Sequence, residues 1–247
     1  LFKEIFIQPA SGDSGLSYGA GLVTMMKLKK FNTNLKRRSF YLGSRFTNKE
    51  IKKVLVKYRN KIDYSAEVNI SKKSSEIIAK GNILGWFQGA AEFGPRALGN
   101  RSILCKPFPS KMRDHMNKNV KFRENFRPFA PSILNNFAKD FFELEQESQH
   151  MLIATKVKSN KKKYIPATVH VDNSCRVQTV HEETNKKFFD LINNFYKITN
   201  VPVVLNTSFN VKGQPIVNDP EDAILCFLKY NIDYLAIGNF IVKKLNK

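Results

Sequence analysis

The sequence predicts an α/β fold built on a mixed sheet, and three observations carry that reading. Apolar runs of strand length, such as ILGWFQ at 83–88 and VPVVLN at 201–206, interleave with segments of helix length. The segment 184–199 places Phe188, Leu191, Ile192, Phe195 and Tyr196 on one helical face. Of 247 residues, 42% are hydrophobic and 12% aromatic, enough for a sizeable core.

From the N-terminus, residues 2–8 alternate as a short strand, PASGDSG turns, and 15–30 has helical periodicity. Residues 31–73 show little consistent period beyond one helix over 48–59, capped by Thr47 or Asn48, so they are expected to form a basic linker. A helix over SSEIIAKG ends at Gly81. Strand 83–88, a Gly- and Pro-rich turn, strand SILC at 102–105 and a helix over 110–119 follow. Next come a helix at 136–142 and strands near 151–157, 165–171 and 176–180. The amphipathic helix 184–199, strand 201–206, helix PEDAILCFLKY and a strand YLAIGNFIV close the chain. Asp219 is expected as the cap of the PEDA helix, with Pro220 at its first position.

Composition bounds the function. No stretch of eighteen apolar residues occurs, and LFKEIFIQPASGD lacks the layout of a signal peptide. No membrane partner and a cytoplasmic location are expected, in a chain that begins inside a longer reading frame. Cys105, Cys175 and Cys226 stand far apart, which fits buried thiols better than a disulfide framework or a zinc site. The net charge of +20 suggests polyanionic partners, but 27–75 alone holds 15 basic against 3 acidic residues, mostly lysine. Arginine is distributed differently: five of the ten fall between Arg96 and Arg127, among Gly, Pro and Asn. Its planar fork suits phosphate and carboxylate.

Five stretches carry chemistry. In GWFQGAAEFGPRALGNRS (85–102), glycines let a backbone approach an anion, while Pro95 and Gly99–Asn100 set turns that present Arg96, Arg101 and Ser102. Two structural turns with exposed arginines explain the spacing equally well. In KFRENFRPFAP (121–131), an extended chain would put Lys121, Arg123 and Arg127 on one face and Phe122 and Phe126 toward the core. Cations alone on a face repel one another without an anion, and basic–aromatic alternation also suits stacked bases. HVDNSCRVQT (170–179) gathers His170, Asp172 and Arg176; the histidine is structural by default, and Arg176 is free to join an anion pocket. LNTSFN (205–210) places Asn206 and Ser208 at the end of an apolar strand, where α/β sheets bind ligands or simply turn. Asp13, in PASGDSG, reads as a cap or a carboxylate ligand. Walker A, GxSxG and HExxH patterns are absent.

Taken in order, EFGPRALGNRSIL, KFRENFRPFAPSIL, HVDNSCRVQTV, LNTSFNVKGQPIV and PEDA resemble the NodU/CmcH-type O-carbamoyltransferases. The resemblance implies a division into 1–30, a strand–helix remnant of an actin/Hsp70-like (Kae1-like) domain; 31–73, the basic linker; and 74–247, a YrdC-like domain with a mixed twisted sheet and flanking helices. It implies that carbamoyl phosphate and ATP, with Mg²⁺, give carbamoyl-adenylate in the YrdC-like part. A Kae1-like N-terminal domain would then pass the carbamoyl group to a hydroxyl of a sugar or natural product. By matched motif, Arg96, Lys121, Arg127, Arg176, Asn206 and Ser208 form the pocket, with Arg96, Lys121 and Arg127 catalytic and Arg101, Ser102 and Arg123 as further contacts. Asp13 stands where the family has an iron ligand, but His115, His150, His170 and His181 do not reproduce its HxxxH pair, so iron belongs to a complete two-domain enzyme. Gln214 stands where the family often has an acid. Nucleic acid is the rival partner and not the expected one, because the lysine surplus lies in the linker, away from the aromatics.

Overall fold

Local capping signals set the helices. Thr47 and Glu50 form a capping box at the start of the helix Asn48–Lys57, and Asp219 and Asp222 form another at Pro220–Lys229, where Pro220 takes the first position as expected. The structure, a computed structural model, describes residues 7–30 and 39–245; the strand expected over 2–8 lies largely outside them. The helices are α1 (Leu16–Lys27), α2 (Asn48–Lys57), α3 (Ile70–Ala79), α4 (Lys111–Met116), α5 (Ala138–Phe141), α6 (Lys186–Thr199) and α7 (Pro220–Lys229). The strands are β1 (Ile62–Ala66), β2 (Leu84–Phe87), β3 (Arg101–Cys105), β4 (Ala130–Leu134), β5 (Ala154–Lys156), β6 (Ser174–Arg176), β7 (Gln178–Val180), β8 (Val203–Ser208), β9 (Tyr234–Ile237) and β10 (Phe240–Lys244).

Eight strands form one mixed sheet in the order β1-β10-β9-β2-β3-β8-β4-β7, parallel only at β2–β9 and β4–β7. β5 and β6 make a separate antiparallel ribbon. Alternation along the strands divides the core between the two faces of the sheet. Leu84, Trp86, Leu104 and Ala236 pack with residues of α3 and α6 on one side, including Ile77, Phe188, Leu191 and Phe195. Phe87, Ile103, Cys105, Leu235 and Ile237 pack with residues of α2 and α7 on the other, including Ile51, Leu55, Ile224 and Phe227. All three cysteines are free and buried.

The mixed α/β architecture is the one expected, with four corrections. The linker expectation fails for 40–73. Ile51 and Leu55 are buried in the core, β1 pairs with β10 over five residues, and α3 starts at Ile70 on the Asn69 cap. A Lys-rich solvent face masked this short apolar one. The single strand expected at YLAIGNFIV is a hairpin, β9–β10, turned at Gly238 with φ +57. The strand expected over 165–171 is instead a short helical turn, Pro166–Thr168. The extended form expected for 121–127 is broken by a π-helical turn, Asn117–Lys121, and by Phe122 at φ 49.

Candidate active site

β2 and β3 are neighbours in the sheet, and the long loop between them, 88–100, is shaped by its own polar groups. One oxygen of Glu92, Oε1, accepts the backbone N–H groups of Leu98 (2.7 Å), Asn100 (2.8 Å) and Arg101 (3.1 Å). The Asn100 side chain donates to the Ala90 carbonyl at 2.7 Å. Gly99 has φ +101, and a Cβ there would lie 2.2 Å from the Phe188 ring, so both the turn and the close packing require glycine. Residues 40–44 brace the outside of the loop. Phe93 donates to the Phe40 carbonyl, Gly43 to that of Ala91 and Ala91 to that of Ser44, while the Tyr41 hydroxyl donates to the Leu98 carbonyl.

Arg101 is 0% exposed and belongs to this scaffold. Its Nη1 donates to the carbonyls of Gln88 (2.7 Å) and Asn100 (3.1 Å), its Nη2 to that of Ser44 (2.9 Å), and the guanidinium lies 3.6 Å from the Phe87 ring centre. Burial pushes it down to about 10, with Glu92 opposing. Ser102, also buried, accepts from the Gly99 N–H. Both Nη atoms of Arg101 and the hydroxyl oxygen of Ser102, expected as substrate contacts, are engaged by the fold, while Arg101 Nε is buried without a partner.

Arg96 is engaged differently: Arg101 also has a buried Nε without a partner, but its guanidinium lies over the Phe87 ring and both its Nη atoms are bonded. Arg96 is half-buried and makes no hydrogen bond or ion pair among the described residues, and its Nε is buried without a partner. Arg176, at the end of β6, also has a buried, unpartnered Nε. Burial, then the charge of Arg96, lowers the pKa of Arg176, so the two guanidinium groups are within electrostatic reach of each other. Two half-buried cations with unspent donors form a place for an anion.

Asn206, buried on β8, lies beside this place. Its Nδ2 donates to Ser132 Oγ (3.0 Å), Gln178 Oε1 (3.1 Å) and the carbonyl of Ala97, the neighbour of Arg96. Three acceptors on one side fix the amide, and Asn206 Oδ1 is left buried with no donor. Ser132 and Gln178 tie the loop to the sheet, since Ser132 Oγ donates to Gln178 Oε1 at 2.7 Å and Gln178 Nε2 to the Leu98 carbonyl at 2.9 Å.

Lys121 is 5% exposed and turned toward the end of β8. Its Nζ donates to the Ser208 carbonyl (2.7 Å), the Asn210 carbonyl (2.8 Å) and Asn210 Oδ1 (2.9 Å), with Ser208 Oγ at 3.3 Å. Burial, then Arg123, pushes the ammonium down to about 7 from an ordinary 10.5. Ser208 Oγ donates to Asn210 Oδ1 at 2.6 Å. Arg123 lies over the Phe129 ring and donates from Nε to Asn117 Oδ1 at 2.7 Å. Burial and Arg127 push it down to about 10. Arg127 is half-exposed, 3.8 Å from Glu124. The expected single cationic face is thus corrected: Lys121 points inward, Arg123 lies on an aromatic ring and Arg127 faces solvent. Phe126, expected in the core, is 75% exposed; Phe122 is also exposed, beside the Tyr230 ring.

His170 keeps a local role. Its Nδ1 lies 3.2 Å from Ser174 Oγ, and burial lowers its pKa against the opposing charge of Asp172. Asp13 is exposed in a short turn before α1. Among the described residues no three His, Cys, Asp or Glu side chains gather to hold a metal, so Asp13 has no companion ligands within them. The sequence reading missed the roles of Glu92, which gathers N–H groups six to nine residues on, and of Ser132, Gln178 and Asn210, whose partners are distant in the chain. Glu92, Gln178 and Asn210 all stand inside the motifs singled out above, where the pattern assigns them no role.

Comparison with known proteins identifies the class. Residues 75–244 match the family described as carbamoyltransferase C-terminus, and the chain belongs to that family. Over nearly its whole length it is 42% identical to the uncharacterized protein sll1178 of Synechocystis and 39% identical to the nodulation protein NolNO of Sinorhizobium fredii. It spans only 44% and 36% of the length of those two relatives. Among solved structures, the crystal structure of T. kodakarensis HypF is similar over 75% of this chain and 24% of that one, at 17% identity and a TM-score of 0.48. Among the described residues no helix is long and apolar enough to cross a membrane.

Proposed function

We propose that this chain is the carbamoyl-activating part of an ATP-dependent O-carbamoyltransferase. It would bind carbamoyl phosphate and ATP and form carbamoyl-adenylate, for transfer to a sugar or natural-product hydroxyl in a Kae1-like N-terminal domain. The observation that carries this reading is the unspent polar set: the buried Nε donors of Arg96 and Arg176, and the buried acceptor Asn206 Oδ1 on the adjoining loop and strand. Carbamoyl phosphate has matching groups, a phosphate for the guanidinium forks and an amide N–H for the asparagine. In balanced form, water cleaves the carbamoyl phosphate anhydride to carbamate and phosphate. A carbamate oxygen then attacks the α-phosphorus of ATP, and pyrophosphate leaves.

In this reading Arg96 and Arg176 hold phosphate oxygens, and Lys121, fixed by Ser208 and Asn210, supplies a point charge beside the reacting phosphoryl group. Arg127, exposed and 3.8 Å from Glu124, is free to turn toward the nucleotide phosphates. The pocket offers cations and amides in place of carboxylates, so Mg²⁺ fits as an ion carried on the ATP phosphates. Since Asp13 alone does not make an iron site, no step is assigned to iron.

The test is exchange of labelled pyrophosphate into ATP. Exchange that depends on carbamoyl phosphate and is lost in Arg96→Met is the expected result. Exchange indifferent to carbamoyl phosphate would refute adenylate formation.

A further inference from the structure

A cleft of about 640 Å³ lies along α7 and is closed by the 214–217 segment, Lys61 and Tyr230. Its apolar lining comes from Pro215, Ile216, Val217, Leu225, Leu228 and Tyr230. Leu225, in the middle of α7, is 49% exposed. Phe122, held at φ 49 against the Tyr230 ring, is 48% exposed and extends the same apolar surface. Folding alone leaves that exposure unexplained. None of Arg96, Lys121, Arg176 and Asn206 lines this cleft, so the carbamoyl phosphate reading does not use it.

The walls are fixed by the fold. Asn210 Nδ2 donates to the Gln214 carbonyl at 2.8 Å, and the Val217 N–H donates to the Phe209 carbonyl at 3.0 Å. Val217 and Cys226 are buried and form the floor. A ligand entering the cleft therefore meets an ordered surface of ligand-binding size. The polar groups specify its charge. The lining holds two lysines, Lys61 and Lys229, and one acid, Asp222. Asp222 is engaged in the cap of α7, where Oδ2 accepts the backbone N–H groups of Asn218 (3.1 Å) and Asp219 (3.5 Å). Lys61 and Lys229 make no hydrogen bond or ion pair among the described residues, and Lys229 Nζ lies 5.5 Å from the Tyr230 ring centre. An apolar trough with two uncommitted ammonium groups, whose one carboxylate is held in a helix cap, suits an amphipathic anion. We infer that this cleft is a second small-molecule site, for a ligand with an apolar body and a carboxylate or similar anionic head. The body would lie on Ile216, Leu225 and Tyr230, and the head would pair with Lys61 and Lys229. The inference is independent of the carbamoyl phosphate reading.

The experiment is calorimetric titration of the full chain with decanoate, below its micelle-forming concentration, in wild type, Leu225→Asp and Lys229→Met. Both side chains are solvent-exposed, so neither substitution threatens the core, and circular dichroism checks that the variants are folded. Decanoate should bind wild type saturably. Decyltrimethylammonium, the same chain with the opposite charge, should bind about tenfold more weakly or worse. Leu225→Asp puts a carboxylate into the apolar wall and should weaken decanoate about tenfold. Lys229→Met removes one of two exposed cations and should weaken it about threefold. Carbamoyl phosphate has no apolar body and should not displace decanoate. Absence of saturable decanoate binding to wild type, or equal affinity in Leu225→Asp, would overturn the site. Equal affinity for decanoate and decyltrimethylammonium would overturn the anionic head. Displacement of decanoate by carbamoyl phosphate would merge the cleft with the Arg96–Arg176 place and overturn a second site. An acidic amphipathic peptide that binds through Leu225 and is not displaced by decanoate would assign the cleft to a protein partner instead.

Discussion

The loop 88–100 and the segment 121–128 have similar motif chemistry, with arginines among turn residues, but the structure uses them in opposite ways. The loop is locked. Glu92 collects three backbone N–H groups, Arg101 donates to carbonyls on both sides, and Ser132 and Gln178 anchor it to the sheet, so Arg96 is presented with its donors unspent. The segment is divided. Lys121 is drawn inward to β8, Arg123 is engaged by Asn117 and Phe129, and Arg127 and Phe126 remain on the outside. Counting cations would rank the two alike. The terminal guanidinium nitrogens separate a site from its scaffold: those of Arg101 donate to carbonyls, whereas Arg96 makes no hydrogen bond among the described residues.

The sharpest way to break this comparison is Arg101→Met. It would leave several buried carbonyls without donors, and roughly 3–5 kcal/mol of unfolding free energy should be lost, read by chemical denaturation. A loss below about 1 kcal/mol would mean that Arg101 is not part of the scaffold and could serve substrate after all.

A second prediction concerns Lys121. Its ammonium is pushed down to about 7, so it is protonated below that pH and increasingly neutral above it. Carbamoyl phosphate affinity should fall as pH rises through 7, approaching tenfold per unit, with proton uptake on binding at pH 8. Lys121→Met should flatten the profile. The effect on folding has the opposite sense. In the unfolded chain the lysine keeps its proton to about 10.5, so between 7 and 10.5 the unfolded state binds more protons and this group's contribution to stability rises with pH. A pH-independent affinity from 6 to 9 would remove Lys121 from the site.

The smallest effect belongs to Arg127→Met. Its contact with Glu124 is a surface pair at 3.8 Å, so unfolding free energy should change by no more than about 0.5 kcal/mol, in contrast to Arg101→Met. A large destabilisation would show that the segment is as tightly built as the loop.

What the sequence revealed and what it hid follows the range of the interactions. The caps Thr47 and Asp219, the apolar face of α6 and the strand before LNTSFN depend on neighbours within a few residues, and they lie where the pattern placed them. β1 was hidden because its burial alternates against a polar, Lys-rich context and its partner β10 is some 180 residues away. The Gly238–Asn239 pair is the sequence signal for the β9–β10 hairpin. Arg96 and Arg101 could not be told apart by motif, because what separates them is the Ser44, Gln88 and Asn100 carbonyls that only the folded chain brings to Arg101.

The most direct test of the account is calorimetric titration of the chain with carbamoyl phosphate, comparing wild type with Arg176→Met. Losing an unspent charged donor should weaken binding by about 2 kcal/mol, near thirtyfold. Stability should be unchanged or higher, because the variant removes a cation lying near Arg96 and breaks no bond among the described residues. Saturable binding in wild type with that loss in the variant is the predicted result. Equal affinity in the two proteins, or a variant that loses stability in place of affinity, would contradict the claim that the Arg96–Arg176 pair is an anion site.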